Sequence, residues 1–535
     1  MKNRLVSPAS LLVISSIVVR VIVYFLLPVS DDLGRYGNTS ALYISALTEH
    51  FGDYLSFTTN IPPATFIIDA FVFAVTGAKT AISIRAILIL VSLLDVIAIL
   101  LLFRTANRLG AGQRTSFFIM LLFSIALIPF ELWRDGMHYD HLTFFFTSFF
   151  AWALVKLVKK PDTGNMLWLS FTGALLVSQS ATNSAIVPVS VLLILFFLYL
   201  PKKQFGKLFF AIFISLLLPA VVLIIISRKN KAEGQEGLTS NKAGPAMMMV
   251  VQRAYKYDVV KVRQAAQDAG APNWWLWTYD HATPPVDSVT GKQAEHWINL
   301  AQAFGICFFT PDGRSNNNPW QFNFNPLSQY LQQNGHTTLL TFVKADADDA
   351  VHKPYRFAGF SFELSPRWIG VYGDISKKIF FTTIKKNPLG MGKAFIEQQG
   401  IFSLYGPLFL YNTTQVKQSL LARSGLRTLH DPLPLQPLFV MTTLLYALLI
   451  FITYLLVLLN IPLTIWKLLK NARSGKKTGV INHFLLLSIP VLCIAGVYSC
   501  LVGGENDRYF IQGVPYLILL TTCLPAWFSG KLAKI

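Results

Sequence analysis

Residues 29–77 read VSDDLGRYGNTSALYISALTEHFGDYLSFTTNIPPATFIIDAFVFAVTG, and this stretch decides how the rest of the chain is read. It lies directly after an apolar run at 8–27 and opens with Asp31 and Asp32. Paired acids beside an apolar span lie near a low-dielectric boundary, where unpaired charge is costly. Two readings are open: the acids cap the next helix, a role aspartate suits, or they carry chemistry. Tyr36, Gly52 and Pro62-Pro63 come next, and then an apolar segment that ends in Gly77. A proline pair is tolerated at the first turn of a helix, so 62–77 is expected to be a separate helix, broken from the loop before it.

Composition sets the class. Of 535 residues, 53% are hydrophobic and only 14% charged, against roughly a quarter charged in soluble domains. With a mean hydropathy of +0.48, the chain reads as a polytopic α-helical membrane protein. Apolar runs of near-spanning length, about 17–25 residues, occur at 8–27, 82–103, 115–132, 142–158, 166–182, 184–200, 208–227, 436–460, 483–502 and 509–528. This gives about 10 transmembrane helices. The first run reaches Leu27 without a small-residue cleavage site, so it is expected to remain as a helix. The net charge of +19 does not point to nucleic acid, because most of the excess sits in short loops between spans, as the positive-inside rule describes.

Those loops fix the orientation. Lys2 and Arg4, then Arg104, Arg108 and Arg114, then Lys156, Lys159 and Lys160, then Lys202, Lys203 and Lys207 all fall on one side, provided that 62–77 lies along the outer surface. Lys467, Lys470, Arg473, Lys476 and Lys477 fall there too, with Lys531 and Lys534. Both termini are then cytoplasmic, and 62–77 is an interfacial helix. The division is a transmembrane module at 1–227 with its first outer loop at 28–81, an extracytoplasmic domain at 228–434, and a second transmembrane module at 435–535. The 228–434 region is too long to lack structure of its own. Strand-like alternation near 355–383 and a helix after Pro388 make it a small mixed α/β domain.

The same topology collects the chemistry-bearing residues outside: Asp31, Asp32 and Tyr36; Arg134, His138, Asp140 and His141; and Glu505, Asp507, Arg508 and Tyr509. Each has a plainer reading. His138, Asp140 and His141 are spaced too tightly and too commonly to specify a metal, and Asp140 can cap the span it opens. Arg508 can snorkel to the interface, or bind phosphate in a bidentate fork. Arg85 and Asp95 lie within the 82–103 span. Arg85 can snorkel, and Asp95 is expected to bond a neighbouring helix. Cys493, Cys500 and Cys523 fall in apolar runs and leave Cys307 alone, so there is no disulfide framework.

Taken in order, these motifs resemble the GT-C superfamily of polytopic glycosyltransferases, in the branch of the aminoarabinose and protein-O-mannosyl transferases. Asp32-x-x-x-Tyr36 resembles the family's first-loop acid. Residues 52–77 around Pro62-Pro63 resemble its juxtamembrane helix, and Arg85 with RTANRLG at 104–110 resembles its second-span pattern. Asp140-His141-Leu142-Thr143-Phe144-Phe145 is similar to the acid that opens the fourth span, and Asp507-Arg508-Tyr509 with Pro515 to the last-span pattern. The resemblance covers the first 160 residues and the last span, not 228–434. The charged residue usual before Pro-Pro is Ile61 here, and Lys79 is the candidate replacement.

What the resemblance implies is a GT-C-like membrane glycosyltransferase with outer-face juxtamembrane helices, working in the inner (plasma) membrane. Its donor would be a sugar on polyprenyl phosphate, of the undecaprenyl type. The acceptor would be the hydroxyl of a glycolipid, polysaccharide or protein, and the transfer would invert the anomeric carbon. Asp32 would be catalytic with Asp31, and either can be the base. Arg508, Arg134 and Lys79 would bind the donor phosphate. Asp140, His138 and His141 would orient the site or hold a divalent cation. Tyr36, Tyr509, Glu505 and Asp507 would contact acceptor or sugar. The competing reading is a lipid or sugar transporter or flippase; against it, the chain lacks the repeat halves such carriers show.

Overall fold

Each of the ten apolar runs forms a helix in the computed structural model: α1 (Pro8–Leu26), α5 (Thr80–Leu109), α6 (Gln113–Leu132), α7 (His138–Lys159), α8 (Thr163–Gln179), α9 (Asn183–Tyr199), α10 (Phe205–Ala232), α19 (Gln436–Arg473), α20 (His483–Leu501) and α21 (Val514–Phe528). The structure describes residues 7–26, 41–57, 63–77, 79–132, 138–179, 182–200, 203–232, 243–282, 295–305, 309–311, 320–322, 325–357, 366–408, 436–473, 483–501 and 510–528. Among these, segments within α5, α7, α10 and α19 are long and apolar enough to cross a membrane by length and composition; α1, α6, α9, α20 and α21 carry shorter apolar stretches. At 1.5 Å per residue, the 30 residues of α5 run about 45 Å, more than the hydrocarbon thickness.

Burial sorts the spans. The apolar window of α7 is 78% buried and that of α10 only 17%. So α7, with Asp140 and His141 in its first turn, lies at the centre of the bundle, and α10 lies at its rim. Phe209, Phe213 and Ile225 project from α10, as Ile14 and Val18 do from α1. Such a surface suits lipid and would be a liability in water. Pro219 interrupts α10, and the backbone N–H of Leu218 donates to Ser170 Oγ of α8 at 3.0 Å. Membrane helices commonly satisfy backbone groups near a proline in this way, through a neighbouring helix.

Residues 41–77 form three short helices, α2 (Ala41–Thr48), α3 (Phe51–Phe57) and α4 (Pro63–Thr76). As the proline pair implies, α4 starts at Pro63. Tyr43, Leu47, Tyr54, Phe66 and Phe73 make a small apolar core of their own there.

The 228–434 region differs from expectation. Its described residues are helical: α11 (Ala243–Ala254), α12 (Val259–Asp268), α13 (Asn273–His281), α14 (Glu295–Phe304), α15 (Asn325–Gln333), α16 (Thr337–His352), α17 (Pro366–Lys386) and α18 (Pro388–Tyr405), with a 3-10 turn at Pro354–Phe357. The one exception among them is an antiparallel ribbon of β1 (Phe309–Pro311) with β2 (Trp320–Phe322). The strand-like alternation near 355–383 is therefore corrected to helix over 366–383 and to the 3-10 turn over 355–357, while 358–365 lie outside the described residues. The buried positions Ile369, Tyr372, Ser376, Ile379 and Thr383 recur every three or four residues, the period of one helix face, and this outweighs the β-branched content. The helix after Pro388 is present. The core of this region stacks Trp275 between Tyr279 and Tyr372, at centroid distances of 5.3 and 4.9 Å. Gly244 allows α11 to meet α17, since a Cβ there would come within 2.1 Å of the Gly373 carbonyl oxygen.

Candidate functional site

Three polar assemblies tie the helices of the bundle to one another and to the 228–434 region. The first lies among α1, α5, α6 and α7. Arg20 of α1 donates from Nε to both carboxylate oxygens of Glu131 on α6, at 2.9 and 3.1 Å, and from Nη2 to Oε1 as well. Its remaining N–H groups go to the Ser16 carbonyl at 3.1 Å, Ser124 Oγ at 2.9 Å and the Ser124 carbonyl at 3.2 Å. Ser92 Oγ on α5 donates to Glu131 at 3.0 Å. One turn along α5, Asp95 meets His141 Nδ1 of α7 at 2.7 Å. All these side chains are buried, as is Asp140. Ionisable groups at membrane depth are rare unless paired or functional, and here two pairs tie four helices together. Asp95 does bond a neighbouring helix, and Arg85 is exposed.

The second assembly is neutral. Gln179 Nε2, at the end of α8, donates to Thr65 Oγ1 in the first turn of α4 at 3.3 Å. Thr182 and the Tyr498 hydroxyl of α20 lie 2.8 Å apart, and Gln512 Nε2 donates to that hydroxyl at 2.6 Å. Gln399 of α18 donates to the Tyr454 hydroxyl of α19. Gln512 belongs to a 3-10 turn at Phe510–Gln512 that packs against α7, and α4 packs against α5, α7 and α8. The helix after Pro62-Pro63 and the turn after Arg508-Tyr509 thus both adjoin the helix that carries Asp140 in its first turn.

The third assembly joins α3 to the 3-10 turn at Pro354–Phe357 and to α16 and α17. Asp53 of α3 accepts from Tyr355 Oη at 2.7 Å and from Arg356 Nε at 2.8 Å and Nη2. Arg356 also donates to Asp349 at 3.1 Å, and Arg367 donates to Asp349 at 2.9 Å and to Asp346 at 2.7 Å. The Arg356 hydrogen bond holds the Asp53 carboxyl below the usual carboxylate range. Asp53→Ala removes the Tyr355 and Arg356 hydrogen bonds and leaves the Arg356 guanidinium its Asp349 partner, and hydrogen bonds to charged groups contribute roughly 1.5–3 kcal/mol. Thermal unfolding of the detergent-solubilised protein should therefore register a loss of about 2 kcal/mol. A midpoint equal to wild type would show that the junction contributes nothing.

Asp346 behaves oppositely. Burial pushes its carboxyl up to about 7, against the pull of Arg367. A carboxyl raised in the folded state above about 3.9 in the unfolded chain favours folding most below that lower value. The contribution fades as pH rises through the folded value. Stability of this region should fall between about pH 4 and pH 7 on this account, and Asp346→Asn, which cannot ionise, should flatten that limb. Equal slopes in the two proteins would contradict the assignment.

The residues expected from sequence divide as follows. Asp31, Asp32, Tyr36, Arg134, Glu505, Asp507, Arg508 and Tyr509 lie outside the described residues. Lys79 is exposed just before α5, His138 opens α7, and Asp140 is buried in its first turn. Of the three residues considered for a divalent cation, the His138 side chain lies outside the described residues, and His141 Nδ1 faces Asp95. Sequence reading missed Arg20 as a partner of Glu131. The signal was available, since Arg20 stands inside the first apolar run.

No family model and no curated protein matches the chain. Among solved structures, it is similar to the crystal structure of ArnT from Cupriavidus metallidurans in the apo state, at 14% sequence identity over 97% of this chain and 79% of that one, with a TM-score of 0.30. A likeness of that degree carries no argument, and the functional reading stands on this chain's own residues.

Proposed function

We propose that this chain is a multi-pass membrane glycosyltransferase of GT-C type. It moves a sugar from a polyprenyl-phosphate donor to an acceptor hydroxyl on the outer face of the membrane. The observation that supports it most is that α4 and the turn at Phe510–Gln512 both pack against α7, the helix that carries Asp140. Three of the motifs that carry the family resemblance, at 52–77, 140–145 and 507–515, lie in or beside these elements in sequence.

In this reading the acceptor oxygen attacks the anomeric carbon while the bond from that carbon to the phosphate oxygen breaks, so the configuration inverts. Asp32 takes the acceptor proton as general base, and Asp31 supports it. The polyprenyl phosphate leaves with one more negative charge. Arg508, Arg134 and Lys79 hold that phosphate as its charge grows. Asp140, His138 and His141 orient the site, and Tyr36, Tyr509, Glu505 and Asp507 contact acceptor or sugar. The outer helices form a roof that selects a glycolipid, polysaccharide or protein acceptor.

The test is binding of undecaprenyl phosphate to the purified protein in nanodiscs, with undecaprenol as the neutral control. Saturable binding of the phosphate and weak binding of the alcohol are expected. Equal affinity for the two, or transport of a lipid-linked sugar in proteoliposomes without a covalent product, would reject the reading.

A further inference from the structure

We propose that Ser92 and Asp95 are positioning residues that fix both ends of the α6–α7 connection and thereby set the place of Asp140. The two stand three residues apart on α5, so they share one helix face. Ser92 holds Glu131, in the last turn of α6, at 3.0 Å. Asp95 holds His141, in the first turn of α7, at 2.7 Å. A single turn of a third helix therefore grips the chain just before residues 133–137 and just after them.

Arg20 completes the grip from α1, because its guanidinium fork takes both oxygens of Glu131 and fixes the plane of that carboxylate. His141 adjoins Asp140 in the chain, so orienting the histidine ring orients the first turn of α7. Among the described residues Asp95 Oδ1 is buried without a hydrogen-bond partner, so the bond to His141 is what orients this carboxylate. Apolar residues of similar volume often replace a buried pair without loss of stability. Packing alone therefore does not account for four polar groups aimed at the two ends of one connection.

The role in donor binding rests on the glycosyltransferase reading; the grip itself does not. Two readouts on Asp95→Leu/His141→Phe separate them. Hydrogen–deuterium exchange should show faster exchange of amides at 131–141, with the other spans unchanged. Affinity for undecaprenyl phosphate in nanodiscs should fall at least about tenfold while the thermal midpoint stays within a few degrees of wild type, as expected for apolar replacement of a buried pair. Asp95→Asn, which keeps a hydrogen bond to His141, should lie between the two, and it serves the same purpose if the double variant does not fold. Unchanged exchange at 131–141 in both variants overturns the proposal. So does wild-type affinity in a variant whose stability has dropped, because the dyad would then serve packing alone. If the wild-type protein binds no undecaprenyl phosphate, the glycosyltransferase reading fails, and the exchange data decide the positioning role by themselves.

Discussion

Arg20→Ala should destabilise the protein by about 3–5 kcal/mol, the usual cost of removing one partner from a buried ion pair. Glu131 would be left as a carboxylate with a fully buried side chain, and Ser92 cannot neutralise it. The lost guanidinium also releases Ser16 and Ser124, which loosens α1 from α6. Thermal unfolding in detergent, with yield of folded protein, measures the effect. Arg20→Met/Glu131→Leu is the informative companion. A buried pair replaced by apolar groups of similar volume is often neutral, so the double variant should recover most of the loss. A double-mutant cycle would then give a large coupling energy. If Arg20→Ala matched wild type, or the double variant were no better than the single one, the pair would not be the tie that the geometry describes.

Asp32→Asn should lower sugar transfer by about 10²–10⁴-fold, the usual contribution of a positioned general base. Affinity for undecaprenyl phosphate should stay near that of wild type, because the amide keeps the side chain's shape and the phosphate contacts lie elsewhere. Asp31→Asn should have the smaller effect. The assay uses a panel of undecaprenyl-phosphate sugars labelled in the sugar, with membrane lipid and polysaccharide extracts as acceptors. Full transfer by Asp32→Asn would remove Asp32 from the mechanism, and loss only in Asp31→Asn would move the base to its neighbour.

The helices were legible in the sequence because lipid imposes a length and a composition that no other packing problem does. All ten apolar runs became helices, and Pro62-Pro63 marked the start of α4. The outer region was legible only in part. Near 355–383 the residues alternate in a strand-like way, but within 366–383 burial at Ile369, Tyr372, Ser376, Ile379 and Thr383 follows the helical period. The partners of charged groups were least legible. Arg20 and Glu131 are 111 residues apart in sequence, and Arg356 and Asp53 are 303 apart. Spacing carries no information over such separations. What the sequence offered instead was cost: Arg20 and Asp95 each sit within an apolar run and must find a partner. For Asp95 that cost foretells the bond to a neighbouring helix that the structure shows, and it applies equally to Arg20.

On this account the first outer loop and the stretch before the last span meet over the first turn of α7 to make one donor site. A cryo-electron microscopy structure of the protein with undecaprenyl phosphate bound tests that claim most directly. The account predicts the phosphate at the outer mouth of the bundle, within hydrogen-bond distance of Arg508, with the Asp32 carboxylate opening on the same cavity. A phosphate seated elsewhere, or Asp31 and Asp32 turned away from Arg508, would contradict it.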